Sequence, residues 1–246
     1  FNFNGVLGND ALRQAIQYAI DDETMCNVTV GGMYTAGCSV LPSSLPYGYD
    51  QLNDPWAYDP DKAAELLDSA GIVDTDGDGY RELDGEKIQL NYLAYSSRNL
   101  DEFAQAVAIT LESLGIGCKV TVQDYDTALA NQSAGNFDMI TSNAIVVPTG
   151  DPTGFLGNFY SENSAAYGYY ANDTYDALYE QLLETTDQDE QLGLIVQLQQ
   201  VLIDDAATLV HGYYNSTFAS RASVVSGADI MPFDYYWITT NIRPAQ

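Results

Sequence analysis

Between Lys87 and Val147 the hydrophobic period changes four times, and this alternation restricts the fold more than any other feature of the chain. Ile88, Leu90 and Tyr92 alternate with Gln89 and Asn91, which predicts a strand over 87–95. Phe103, Val107, Leu111 and Leu114 then recur at helical spacing over 100–114, with Gly115 as the stop. A strand follows at 118–123 (Val120, Val122), a helix at 125–133, and a strand over 137–147. A β-α-β-α-β series of this length predicts an α/β domain, with a mixed β-sheet flanked by helices.

Composition bounds the function. The chain has 246 residues and carries 8 Lys plus Arg against 35 Asp plus Glu, a formal charge of −27. Eight scattered cations do not make the basic surface that counterion release requires, so no nucleic acid is expected as partner. Acidity of this size serves solubility, and docking on anionic lipid is disfavoured. No apolar run approaches the length that spans a bilayer. Of the three cysteines, Cys26 and Cys38 are spaced for a bridge in an oxidising compartment, whereas Cys118 reads as a small buried hydrophobe.

The flanks of the alternating core are helical or irregular. Asp10 is placed to cap a helix bearing Leu12, Ile16 and Ala19, and a shorter helix is expected over 21–30. Residues 33–60 hold four prolines together with Tyr34, Tyr47, Tyr49, Trp56 and Tyr58, which predicts a packed loop able to form one wall of a pocket. A helix at 61–70 precedes the first strand. Beyond residue 160, two helices are marked by Tyr175 to Leu183 and by Leu192 to Leu202, and strands are expected over 208–214 and 219–225. The aromatic tail 230–246 has no clean period.

Two places carry chemistry. In 137–160 a strand meets Pro148, Gly150 and Pro152 and delivers a helix start near Asp151, which is how an α/β domain builds a ligand crevice. In the loop opened by Asp74, carboxylates at alternate positions (Asp74, Asp76, Asp78) followed by Gly79 match the first half of a calcium loop, with Glu82 beyond. The twelfth position is Gly85 rather than a bidentate Glu, so a structural calcium ion and a tight acidic turn both fit. His211 is the sole histidine, which gives no support to a catalytic triad and reads as structural.

Several segments, in order, resemble the peptide- and nickel-binding family (family 5) of extracytoplasmic solute-binding proteins of ABC importers. They are ALRQAIQYAIDDE at 11–23, YDPDKAAELL at 58–67 with Ala70-Gly71, DTDGDGYRE at 74–82, Leu114-Gly115-Ile116, Phe137-Asp138 and Asp151-Pro152. The resemblance implies a type II, cluster C binding-protein architecture. This chain would be the C-terminal ligand-binding lobe (10–210), with a hinge segment at 1–9 and a tail at 211–246 that returns to a missing N-terminal lobe. It also implies a non-enzymatic function: capture of a small peptide or a nickel-type chelate between two lobes, and delivery to a membrane permease. The protein would be a periplasmic or lipid-anchored cell-surface component.

The pocket residues expected on this basis are Asn143, Ile145, Pro148, Thr149 and Asp151, with Tyr47 and Arg98 from neighbouring loops. Peptide-binding relatives often carry an Asp where Pro148 stands, and some nickel-binding ones a His after Asp-Pro, which 154–170 lacks. The competing functions are a calcium-stabilised surface adhesion module and a glycosidase-like hydrolase.

Overall fold

A computed structural model describes residues 1–217, 219–228 and 240–245. The helices are α1 (Asp10–Ala19), α2 (Asp22–Thr24), α3 (Pro60–Ser69), α4 (Leu100–Ser113), α5 (Tyr125–Ser133), α6 (Thr153–Leu156), α7 (Asp173–Glu184) and α8 (Gln188–Asp204). The strands are β1 (Tyr34–Thr35), β2 (Glu82–Leu83), β3 (Glu86–Lys87), β4 (Gln89–Tyr95), β5 (Gly117–Gln123), β6 (Met139–Ile140), β7 (Tyr213–Tyr214), β8 (Val225–Ser226) and β9 (Arg243–Pro244).

The alternation read from the sequence becomes a parallel sheet in the order β5-β4-β6. Antiparallel pairs β1-β7, β2-β3 and β8-β9 lie outside it. Helix α4 covers the sheet with Phe103, Ala104, Val107 and Leu111, all buried. Full burial of each large apolar side chain contributes about 1.5–3 kcal/mol. The helix ends as Gly115, at φ +76, donates to Glu112 and Ile116 donates to Leu111, which occupies its last carbonyls.

A second, aromatic core forms where α7 and α8 meet the turn after α6. Phe159, Tyr170, Tyr175 and Tyr179 surround Leu194, Leu198 and Leu202. The rings meet edge to face, as Tyr170 and Tyr175 do at 5.8 Å, which matches the ring quadrupoles. Residues 1–3 stitch the two cores together. The Asn2 side chain donates to the Phe137 carbonyl at 2.7 Å, and the Phe3 amide donates to the Gly168 carbonyl at 2.7 Å.

Four expectations are corrected. The strand foreseen over 137–147 is two residues long; the Thr141 amide still donates to the Leu93 carbonyl of β4, and 142–147 runs beside the cavity with no strand partner among the described residues. Its apolar Ile145, Val146 and Val147 are cavity wall rather than sheet, a distinction that period alone does not make. The strand over 208–214 shrinks to Tyr213–Tyr214, and that over 219–225 to Val225–Ser226. The first helix is capped by Asn9, whose side chain accepts from the Leu12 amide, while Asp10 is its first residue and pairs with Arg13 at 2.7 Å. Cys26 and Cys38, whose pairing the sequence leaves open, are separate thiols, Cys26 donating to the His211 carbonyl and Cys38 contacting the Tyr49 hydroxyl. Phe233, Tyr235, Tyr236 and Trp237 of the aromatic tail lie outside the described residues. Residues 1–9, expected as a hinge, contain a 3-10 turn at Val6–Gly8.

Candidate functional site

The carboxyl ends of β4 and β6 open onto a cavity of about 480 Å³, the position at which open α/β sheets hold ligands. β4 ends at Tyr95, and the chain turns through Arg98 (φ +52) and Asn99 (φ +60) before α4 begins. Two successive non-glycine residues in the left-handed region cost on the order of 1–3 kcal/mol each, so their surroundings must hold them. One such hold is visible: the Tyr34 hydroxyl donates to the Arg98 carbonyl at 2.6 Å. The guanidinium lies 4.6 Å above the Tyr214 ring, with Nη1 3.3 Å from Asn143 Oδ1.

Beyond β6 the wall continues through Thr141, whose hydroxyl bonds that of buried Tyr92, and Asn143, whose amide donates to the Tyr95 hydroxyl at 3.2 Å. Burial raises the Tyr92 phenol well above its ordinary range and pushes the Tyr34 phenol up to about 12, so both stay neutral donors. The 33–60 loop also contributes to the wall, through Tyr34, Ser39, Val40 and Pro42; of its aromatic residues, Tyr34 alone is among the described lining residues.

His211 closes the site near Phe103. Its ring stacks on Phe103 at 4.9 Å and 5°, and Nδ1 lies 2.7 Å from Asp22 Oδ1. Burial raises the Asp22 carboxyl above its ordinary value, and the imidazole beside it partly opposes that shift. The sequence marked His211 as structural. What it could not show is that α2 and the segment before β7 meet across 189 positions of chain.

The electrostatic character of the cavity is set by what lines it. The chain has 35 acidic residues, yet among the described residues no Asp or Glu is in the lining. Arg98 and His211 are the basic side chains among the described lining residues.

Of the residues expected from the sequence, Arg98, Asn143, Ile145 and Pro148 line this cavity together. Tyr47, Thr149 and Asp151 do not. They belong to the adjoining turn: the Tyr47 hydroxyl donates to the Gly150 carbonyl, and Asp151 accepts from the Thr153 amide at 2.8 Å, at the start of α6. Thr149 is exposed. Tyr34, Phe103 and Tyr214 were not foreseen as site residues; an aromatic at strand or helix spacing carries no signal that separates core from cavity wall.

The acidic loop stands apart from the cavity. One ligand oxygen from each of Asp74, Asp76, Asp78 and Glu82 lies within 4.8 Å of the others. An all-oxygen set fits a hard cation such as calcium. The loop also satisfies itself: Asp74 accepts from the Gly77 and Gly79 amides at 2.7 and 2.8 Å, and Glu82 accepts from the Thr75 amide at 2.8 Å. The Gly79 and Gly77 amides hold the Asp74 carboxyl below its ordinary value. Lys87 Nζ, 3.1 Å from Asp78, supplies one positive charge.

Comparison with known proteins gives consistent matches. The model of bacterial extracellular solute-binding proteins, family 5, middle region, matches residues 1–167. The nickel-binding periplasmic protein of Escherichia coli (strain K12) is 25% identical over 219 residues, which cover 86% of this chain and 41% of that protein. The glutathione-binding protein of Salmonella typhimurium is 27% identical over 216 residues, covering 79% and 37%. The crystal structure of NikA from Brucella suis in complex with Fe(III)-EDTA superimposes with a TM-score of 0.75 at 27% identity, covering 87% of this chain and 44% of that one. The chain spans about two fifths of the length of the curated relatives it matches.

Proposed function

This chain belongs to the bacterial extracellular solute-binding proteins of family 5, and from that premise we propose that its cavity captures a small solute through an anionic group. The observation that supports the proposal is that Arg98 is in the cavity lining, while no carboxylate is among the described lining residues. An anion placed among buried carboxylates would be repelled, whereas a guanidinium offers paired donors to a carboxylate in geometry that matches it. Free peptides carry a terminal carboxylate, and metal chelates present several, so the site suits both classes bound by the relatives.

The solute would be enclosed between this lobe and an N-terminal lobe, and the closed form would dock on an ABC permease. Residues 1–9 and 210–214 would serve as the hinge, and a lipid anchor is one way of holding such a protein at the cell surface. No covalent step is part of this function. A glycosidase would need two carboxyl groups flanking its substrate, and none is among the described lining residues. The loop at 74–82 is proposed to hold a structural calcium ion.

The test is calorimetry and thermal shift on the full-length protein. The panel is short peptides as free acids and as carboxamides, glutathione, nickel with histidine, and Fe(III)-EDTA. Ligands with an exposed carboxylate are expected to bind and to raise the melting temperature. Carboxamides binding as tightly as the free acids would refute the reading.

A further inference from the structure

We propose that His211, held in place by Asp22, is a second ligand-contacting residue of the cavity, and that an anionic ligand binds together with a proton taken up on this imidazole. The inference rests on the anionic-ligand reading above and adds a residue and a linkage to it.

The ring has little freedom. Stacking on Phe103 fixes its plane, and the 2.7 Å contact with Asp22 engages Nδ1. Nε2 has no hydrogen-bond partner among the described residues, and it is not an enclosed orphan either. The one buried side-chain nitrogen or oxygen without a partner among them is Arg13 Nε. With Nδ1–H donated to the carboxylate, Nε2 is the ring's remaining acceptor, and His211 is one of the residues that line the cavity.

The surroundings set the sign. With the imidazole neutral, the pair carries one negative charge, contributed by Asp22. With the imidazole protonated, the pair is neutral and Nε2–H becomes a donor. Asp21 and Asp54 act on Asp22 and oppose its ionisation. The Cys26 thiol, which donates to the His211 carbonyl, is pushed up to about 11 by burial and adds no charge near neutrality. Tyr34 and Tyr92 are neutral hydroxyls, and Arg98 is the fixed cation of the same lining. A ligand carboxylate is therefore repelled by the unprotonated pair and accepted by the protonated one. Affinity rises as pH falls through the imidazole titration, with a limit of about tenfold per pH unit for one proton.

The experiment uses the full-length protein with glutathione and Fe(III)-EDTA as probes, titrated by calorimetry between about pH 5 and 8 in buffers of different ionisation enthalpy. Wild type is expected to take up as much as one proton per ligand, with the corresponding slope in affinity. His211→Gln loses both the uptake and the slope. Asp22→Asn keeps binding but moves the pH profile to lower pH, because the imidazolium has lost its counter-charge. The wild-type protein supplies an independent readout: on 13C-labelled histidine, the ring titration of His211 moves to higher pH when a probe is bound. Binding with the same pH slope in wild type and His211→Gln, or a ring titration that a bound probe leaves in place, overturns this inference alone. If neither probe binds at any pH, the anionic-ligand reading falls and takes this one with it.

Discussion

Arg98→Gln isolates the charge on which the proposed function depends. Both residues face the same left-handed backbone at φ +52, and the Tyr34 hydroxyl binds the carbonyl of residue 98 rather than its side chain. The substitution thus removes the guanidinium while leaving the turn's principal tie in place. Hydrogen bonds to a charged group contribute about 1.5–3 kcal/mol, and 1.4 kcal/mol corresponds to a factor of ten. A free-acid peptide or carboxylate chelate is expected to bind roughly 10- to 150-fold more weakly to the variant. The substitution also loses the stacking on Tyr214 and the contact with Asn143, so the variant's melting temperature is measured beside its affinity. The decisive assay is calorimetry on the full-length protein with each peptide as acid and as carboxamide. If the variant weakens both forms equally, the guanidinium supports the cavity's shape and not its charge recognition, and the reasoning is refuted.

Three further outcomes are expected. Gly168→Ala should destabilise by more than about 1 kcal/mol, because φ is +82 and the new Cβ would stand 1.7 Å from the Phe1 carbonyl oxygen; an unchanged urea midpoint would contradict this. Calcium should raise the melting temperature of wild type measured against a chelator control, and should have no effect on Asp76→Asn/Asp78→Asn if the 74–82 loop is the site. Asp74 and Asp124 are held below the ordinary carboxyl value of 3.8, Asp74 by backbone amides and Asp124 by Thr127. Their stabilisation is present above pH 3.8 and is lost as pH falls through their lower folded values, so Asp74→Asn/Asp124→Asn should flatten the acid limb of a stability profile taken in chelator.

What the sequence disclosed was local. The helices over 100–113 and 125–133 and the strand at 117–123 follow from spacing and stop signals within one or two residues, since each is decided by a face and its punctuation. The 137–147 run misled because Ile145, Val146 and Val147 are apolar for a different reason: they border a cavity and not a neighbouring strand. Asn9 and Asp10 are both good caps, and only the backbone decides between them. Arg98, Asn143, Ile145 and Pro148 come together at the cavity because they lie on the segments that follow strand ends, where open sheets place ligands. The Asp22–His211 pair was hidden because no local pattern encodes contact between residues so far apart.

The short β6 has a consequence for breadth of recognition. After Ile140 the chain stays beside the cavity, and among the described residues the amides of Ser142, Ala144, Ile145, Val146 and Val147 have no hydrogen-bond partner. Main-chain donors recognise the main chain of whatever lies against them and are blind to its side chains. On the reading proposed here, this segment contributes affinity shared by many solutes, and discrimination among them falls to Arg98 and His211.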